Sequence, residues 1–399
     1  MKILVVDQHF YPEQFRINDI CVELVKKGHD VTVLTGLPNY PKGKLYDGFR
    51  FFRKRKETYK GVKIKRTTII CRGKSVLRMG INYASFAINA SIKALFMKKD
   101  FDIVYVYQTS PVSMAWPAIV VAKLKKIPLV IHILDQWPIS IASGGFSKTS
   151  LFYKIMYRIS RNTYMKADVL SISSRKFGKY IKEELKINNI PIIYNPSYAE
   201  DTYKNTKKVD NKKFDLLFAG NIGPATSVET IVEAANLLKD KKDIMFHIVG
   251  DGLSKDNCER RAAEYKLDNV KFYGFCSVEE VKKYYDLADG FLITMDDNEV
   301  VNNTLPAKLQ SYMVAAKPIF GAVSGEAKET IIDSKCGLVV SSKDYEGLAN
   351  IIRNNYKKDL SRYGKNALKY YEDHFEKEKC LDDMLAMFNK CIKENKNER

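Results

Sequence analysis

The residues best placed to do chemistry lie in Asn303-Thr-Leu-Pro-Ala-Lys308-Leu-Gln-Ser311-Tyr-Met-Val-Ala-Ala-Lys317-Pro-Ile-Phe-Gly321, with Ser324-Gly325-Glu326 and Glu329 just beyond. The pattern predicts a helix that starts behind Pro306 and ends near Lys317-Pro318. A short buried strand (Ile319, Phe320) follows, then a Gly-bearing loop with two carboxylates. A helix N-terminus offers free N–H groups and partial positive charge, which suits a phosphate. Lys308 falls in that first turn and adds a full charge. Glu326 and Glu329 can accept hydrogen bonds from hydroxyls. A diphosphate with sugar hydroxyls describes a nucleotide sugar.

A second set of candidates is made of glycines. Phe218-Ala219-Gly220-Asn221-Ile222-Gly223 follows a predicted strand and precedes a predicted helix. Glycines there let backbone N–H groups approach an anion, although strand-end glycines also serve packing alone. Val249-Gly250-Asp251-Gly252 and Phe272-Tyr273-Gly274-Phe275 follow the next strands, where they bring backbone near a base or ribose or simply turn the chain. None of these is GxGxxG, which counts against a nicotinamide or flavin site. No Asp-x-Asp stands at a strand end, and Asp296-Asp297 is only an adjacent pair, so no obligatory metal and no cofactor is expected.

These loops need strands to carry them. Apolar runs at Ile3–Val6, Val31–Thr35, Ile103–Tyr107, Leu129–Ile133 and Val169–Ile172 alternate with helix-length segments, and the helix over Ile17–Lys27 closes at Gly28. A second series follows at Leu216–Ala219, Met245–Val249, Val270–Phe272, Gly290–Thr294, Pro318–Ala322 and Gly337–Val340. Alternation of this kind predicts α/β architecture with parallel sheets. The polar, core-less stretch around residues 195–213 forms the best linker. Two doubly wound domains facing across a cleft follow, with ligands at the carboxyl ends of the strands.

The chain has 399 residues, 45% hydrophobic and 28% charged, enough for two full cores. Seven scattered cysteines with no CxxC pair argue against a disulfide framework or a structural zinc site. The opening Met-Lys-Ile-Leu-Val-Val-Asp7 reads as a strand and not as a signal peptide, so a cytoplasmic location is expected.

Charge is lopsided. Residues 1–200 hold 34 Lys+Arg against 14 Asp+Glu, and the remainder 32 against 33. Arg50 to Arg78 carries twelve basic residues and one acid, Glu57, interleaved with Phe49, Phe51, Phe52 and Tyr59. Such a patch attracts lipid headgroups or nucleic acid; otherwise it is a solvated strand pair. The neighbouring Met79–Met97 favours a membrane over nucleic acid. It is nearly apolar, with a polar line at Asn82, Ser85, Asn89 and Lys93 on one helix face. It predicts an amphipathic helix, either internal or membrane-facing, and not a spanning one.

Taken together, the chain resembles a retaining glycosyltransferase of family 4 with the GT-B fold. The resemblance rests on Phe10-Tyr11-Pro12-Glu13, Gly28-His29-Asp30-Val31-Thr32-Val33-Leu34-Thr35-Gly36, Gly220-Asn-Ile-Gly223, Gly250-Asp-Gly252 and Pro306-Ala-Lys308. Tyr312-Met313, Lys317-Pro318, Gly325-Glu326, Glu329 and Cys336-Gly337-Leu-Val extend it. Asn39-Tyr-Pro41 and Asp135-Gln-Trp137-Pro138 resemble a branch of L-N-acetylfucosamine transferases for capsule or O-antigen synthesis.

The resemblance implies an acceptor domain at 1–197, a linker at 198–213, a nucleotide-sugar domain at 214–372, and a terminal helix at 373–399 that crosses back to the first domain. It also exposes departures. The family's two glutamates, eight residues apart, fall on Asn303 and Ser311, and its Arg and Lys after the glycine loop are replaced by Asn221 and Pro224-Ala-Thr. Lys308 is then the remaining phosphate cation, beside Gly220, Asn221, Gly223, Gly250 and Phe275. Glu326 and Glu329 remain as hydroxyl acceptors, with Glu299 as a displaced substitute for the first glutamate. In the first domain, Arg16 stands where many relatives have glycine and suits a diphosphate. His9 is a further candidate there, Asp135 is the candidate for orienting the acceptor hydroxyl, and His132 reads as a core histidine.

The implied reaction is retaining transfer of an N-acetylated hexose from a UDP-sugar to a polyprenyl-diphosphate-linked glycan. The enzyme would sit on the anionic inner face of the membrane and bind no nucleic acid. Two alternatives stand beside it: a nucleotide-sugar 2-epimerase on the same fold, and a non-catalytic scaffold of polysaccharide assembly. The sequence is silent on oligomeric state.

Overall fold

Runs of consecutive Val, Ile, Leu and Phe fill strands that are buried along their whole length, the signature of parallel sheets covered on both faces. The computed structural model describes all residues except Phe52, Lys74, Lys98, Lys99, Gly144, Asn205, 207–211, Glu398 and Arg399. Phe52 and Lys74 of the basic stretch, and residues 205 and 207–211 of the 198–213 linker, therefore lie outside the described residues. The chain divides into two units, one of Met1–Asn195 with Leu381–Arg399, the other of Pro196–Cys380.

The first unit holds β1 (Lys2–Val6), β2 (Asp30–Thr35), β3 (Lys56–Tyr59), β4 (Val62–Arg66), β5 (Ile103–Gln108), β6 (Leu129–Ile133), β7 (Val169–Ile172) and β8 (Ile192–Tyr194). Their order is β3-β4-β2-β1-β5-β6-β7-β8, parallel except for the β3–β4 hairpin. The expected strands are present. The hairpin and β8 add to them, and the hairpin is the strand pair weighed for the basic stretch.

That hairpin carries one inward charge. Arg66 is fully buried and pairs with Glu57, the only acid of the stretch, while also donating to the Tyr11 carbonyl at 2.6 Å. The helix Val76–Leu95 packs beside it with unusual polarity. Its polar line faces inward onto the extended backbone after β4. Asn82 donates to Ile70 O at 2.6 Å, Asn89 to Thr68 O at 2.9 Å, Lys93 to Arg66 O at 2.6 Å, and Ser85 Oγ accepts from Ile70 N–H at 2.9 Å. The aliphatic residues Val76, Leu77, Ile81, Ile88, Ile92 and Leu95 are exposed. No described helix is long and apolar enough to cross a membrane.

The second unit holds β9 (Phe214–Ala219), β10 (Ile244–Val249), β11 (Val270–Phe272), β12 (Gly290–Thr294), β13 (Ile319–Ala322) and β14 (Gly337–Val340). All neighbours are parallel in the order β11-β10-β9-β12-β13-β14. Both sheets reverse their winding, at β1/β5 and at β9/β12, and a crevice for ligands opens at the carboxyl ends of such strands. Both units are Rossmann-like.

Candidate functional site

In the second unit the switch point is floored by glycine. Gly220 ends β9 with φ +143° and donates to Val249 O at 2.9 Å, and Gly250 ends β10 and donates to Gly274 O at 2.8 Å. A Cβ on Gly250 would sit 1.8 Å from the Gly220 carbonyl oxygen, so the two loops approach as only glycine permits.

The helix Ala307–Val314 begins against this floor, behind Pro306 as expected. Its Tyr312 stacks on Phe291 at 4.3 Å, and its hydroxyl accepts from Ala219 N–H at 2.9 Å, fixing the helix to the end of β9. Lys308, in the first turn, is held over the Phe218 ring with Nζ 3.5 Å from the centroid. Among the described residues the ammonium has no hydrogen-bond partner, and burial pushes it down to about 7. A buried, unpartnered cation beside a glycine floor and a helix N-terminus is a site prepared for an anion.

The carboxylates sit differently from expectation. Glu326 and Glu329 are not in a loop, because Gly325 already starts the helix Gly325–Ser334 in the left-handed region, at φ +59°, against the Asn302 carbonyl. Glu326 is buried in the first turn, and Glu329 faces solvent one turn on. Asn303 ends the short helix Glu299–Asn303, whose Glu299 is exposed, and Ser311 Oγ donates back to Ala307 O at 3.3 Å. Phe275 is 76% exposed, and Asn221 and Gly223 lead into the turn at Pro224–Thr226. The Asp296-Asp297 pair is engaged by protein partners: Asp296 by Lys343 and by Asn298 at 2.8 Å, Asp297 by Asn302 at 2.8 Å. Among the described residues no group of three or more His, Cys, Asp or Glu is placed to hold a metal.

In the first unit a cavity of about 700 Å³ opens where β1, β5 and β6 end, lined by His9, Phe15, Tyr40, Arg72, Tyr83 and Asp135 among others. Asp135 Oδ2 accepts from Ser110 Oγ at 2.6 Å, and Ser110 in turn accepts from Trp137 Nε1 at 3.0 Å. Burial holds the Asp135 carboxyl above the usual carboxylate range, against the pull of Ser110. His9 Nδ1 pairs with Glu13 Oε2 at 2.9 Å, and its ring stacks on Phe15 at 5.1 Å. The other oxygen of Glu13 accepts the N–H groups of Asn39 and Tyr40, both at 2.6 Å. One buried carboxylate thus orients the histidine and pins the Asn39-Tyr-Pro41 segment. Arg16 opens the helix Arg16–Lys26, lies 4.0 Å from Asp19 and is not among the cavity-lining residues. His132, inside β6, bonds Ser171 Oγ at 2.9 Å as a core histidine, and burial lowers it to about 4.

The structure thus brings Asp135 and His9 to one cavity, and Lys308, Gly220 and Gly250 to one floor. Glu13, Ser110 and Arg72 were not singled out by sequence. The signal for Glu13 was present, since it closes the Phe10-Tyr-Pro-Glu13 element.

Comparison with known proteins bears on the family and the fold. Residues 14–197 match the family described as Glycosyl transferase 4-like domain, and residues 199–370 match Glycosyl transferases group 1. WcaI of Escherichia coli K12, assigned as a colanic acid biosynthesis glycosyl transferase, is 24% identical over 334 residues, covering 78% of this chain and 81% of that one. WbjE of Pseudomonas aeruginosa, assigned as a glycosyltransferase, is 24% identical over 298 residues, covering 71% of this chain and 73% of that one. The Anabaena HepE structure in complex with UDP superposes with a TM-score of 0.70 at 15% identity, over 98% of this chain and 100% of that one. The chain therefore joins a glycosyl transferase 4-like domain to a glycosyl transferases group 1 domain and is a glycosyltransferase of the GT-B fold.

Proposed function

We propose that the enzyme transfers a sugar from a UDP-sugar to a polyprenyl-diphosphate-linked glycan in bacterial surface polysaccharide synthesis, with retention at the anomeric carbon and no obligatory metal. An N-acetylated hexose, N-acetylfucosamine first among them, is the proposed donor sugar. The observation that carries this reading is Lys308, a buried cation with no partner at the β9/β12 switch point. The leaving diphosphate gains charge in the transition state, and fixed positive groups lower that barrier most in a water-poor site. Lys308, the N-terminus of its helix and the Gly220 loop supply them. UDP in the HepE structure supports the nucleotide part of this reading, and the colanic acid assignment of WcaI supports its polysaccharide part. Asp135 orients the acceptor hydroxyl, and Glu326 serves a donor hydroxyl.

The proposed partner surface is an anionic lipid bilayer. The exposed ridge Leu77, Ile81, Ile88, Ile92, Leu95 repeats at helical spacing, and the β3–β4 hairpin lies alongside: burial together with the charges of Arg55, Lys56 and Lys65 lowers Lys93 of that helix to about 8. An aliphatic ridge flanked by cations suits the headgroup–acyl boundary. The test is incubation with a panel of nucleotide sugars and membrane-extracted lipid acceptor, reading UDP or GDP release and glycolipid mass. Acceptor-dependent release with one donor is expected. Nucleotide binding without acceptor-dependent transfer would overturn it.

A further inference from the structure

Among the described basic residues between Arg50 and Arg78, Arg72 is the one that lines the cavity at the ends of β1, β5 and β6. Its guanidinium lies 5.4 Å from the Tyr40 ring and 5.8 Å from the Tyr83 ring. No carboxylate among the described residues pairs with it; its side-chain hydrogen bond goes to Met79 Sδ at 3.0 Å, a weak acceptor. Its backbone is fixed. Arg72 N–H donates to Asn39 Oδ1 at 2.8 Å, in the segment that Glu13 pins from the other side. Arg66 takes Glu57, the only acid of the basic stretch, so Arg72 is left over as a positioned charge.

The rest of the cavity is two-natured. Asp135, Ser110 and Trp137 form a polar relay suited to a hydroxyl, and Tyr83 lies within reach of both the Arg72 and the Asp135 charge. Val76, Met79, Phe146 and Phe152 supply apolar wall, with Phe146 and Phe152 ring centroids 5.0 Å apart. Val76 and Phe152 are also exposed, so the apolar wall runs out to the surface. A ligand that satisfies all three parts has a hydroxyl group, an anionic group and an apolar chain.

We propose that this cavity binds a prenyl diphosphate: Arg72 grips the diphosphate, the Val76–Phe152 wall takes the first isoprene units, and the Asp135 side takes the glycosyl hydroxyl. The assignment deepens the proposed function and rests on its lipid-linked acceptor. A guanidinium matches phosphate oxygens bidentately, and stacking on tyrosine holds its plane without neutralising it.

The test uses the full chain and farnesyl diphosphate as probe, with inorganic pyrophosphate, farnesol and UDP in parallel, by titration calorimetry. Farnesyl diphosphate is expected to bind more tightly than pyrophosphate or farnesol and without displacing UDP. Arg72→Ala is expected to weaken it by about 10–100-fold and leave UDP binding unchanged. Arg72→Lys recovers part of the loss, and Phe152→Asp weakens the prenyl compound while sparing pyrophosphate. Equal affinity in wild type and Arg72→Ala would overturn the assignment, as would competition between farnesyl diphosphate and UDP. UDP binding with acceptor-dependent transfer but no farnesyl diphosphate binding would sink this site alone, whereas absent transfer would sink the broader reading.

Discussion

Lys308 Nζ stands 3.5 Å from the centre of the Phe218 ring and finds no hydrogen-bond partner. The ring face is its nearest compensation, and cation–π attraction does not replace the water lost on burial. The side chain is held in a costly place that an anion would relieve.

The first prediction concerns proton uptake. With Lys308 lowered to about 7, the free protein is mostly neutral there above that pH, and a bound diphosphate restores the charge. UDP affinity should therefore fall as pH rises from 7 to 9, by up to about tenfold per unit, with protons taken up on binding. Calorimetry in buffers of different ionisation enthalpy reads this directly. A flat profile, or no uptake, removes the role given to Lys308.

Replacing the same lysine trades binding for stability. Lys308→Met keeps most of the volume, deletes the unsatisfied ammonium, and should stabilise the ligand-free protein by about 1–3 kcal/mol. UDP affinity should drop by about 10–100-fold in the same variant. Thermal unfolding and UDP titration decide it, and a variant that binds UDP normally refutes the phosphate assignment.

Asp135 should govern the acid limb of turnover. Burial raises its carboxyl, so the carboxylate that orients a hydroxyl is lost as pH falls through that raised value, earlier than for an exposed aspartate. kcat/KM should fall on the acid side, and Asp135→Asn should lower it and abolish the limb. Persistence of the limb in the variant would assign it to another group.

Glu57→Ala strips the buried Arg66 of its acid. The first unit should lose about 2–4 kcal/mol, read as a lower urea midpoint. A loss below about 1 kcal/mol would mean that the carbonyls of Tyr11 and Gly36 suffice for Arg66.

Ile88→Glu combined with Ile92→Glu should leave stability within about 1 kcal/mol, because both side chains are exposed. Flotation with phosphatidylglycerol-containing vesicles should show binding lost. Binding that survives the pair but vanishes in high salt would mean that the hairpin cations act without the ridge.

Much of the fold was legible because parallel strands are written as continuous apolar runs, and the six strands of the second unit coincide with such runs. The strands β3 and β8 left weaker marks, since β3 is mostly polar (Lys56, Glu57, Thr58) and β8 has only three residues. The place of Lys308 in a first helical turn was legible from Pro306 and the helix behind it. The setting of Glu326 was not, because a glycine that reads as a loop residue here opens a helix.

Polarity left two readings open for the helix Val76–Leu95. Its polar line was visible, but which face turns inward depends on partners such as Ile70 and Thr68, whose backbone groups no helical pattern reveals. The contrast between Arg66 and Arg72 was likewise hidden. One acid in a run of twelve cations cannot announce which of them it will neutralise.

The first unit is discontinuous in sequence, completed by Leu381–Arg399 after the whole second unit. Phe388 is fully buried and lies 5.3 Å from Tyr105 in the central strand β5. On the ribosome, the sheet of the first unit waits for its last covering layer until the segment holding Phe388 has been made. The second unit, contiguous in sequence, is free to condense first. A chain stalled or clipped before Leu381 leaves Tyr105 uncovered, so the cell's quality control would meet an aromatic gap in the sheet that was synthesised first.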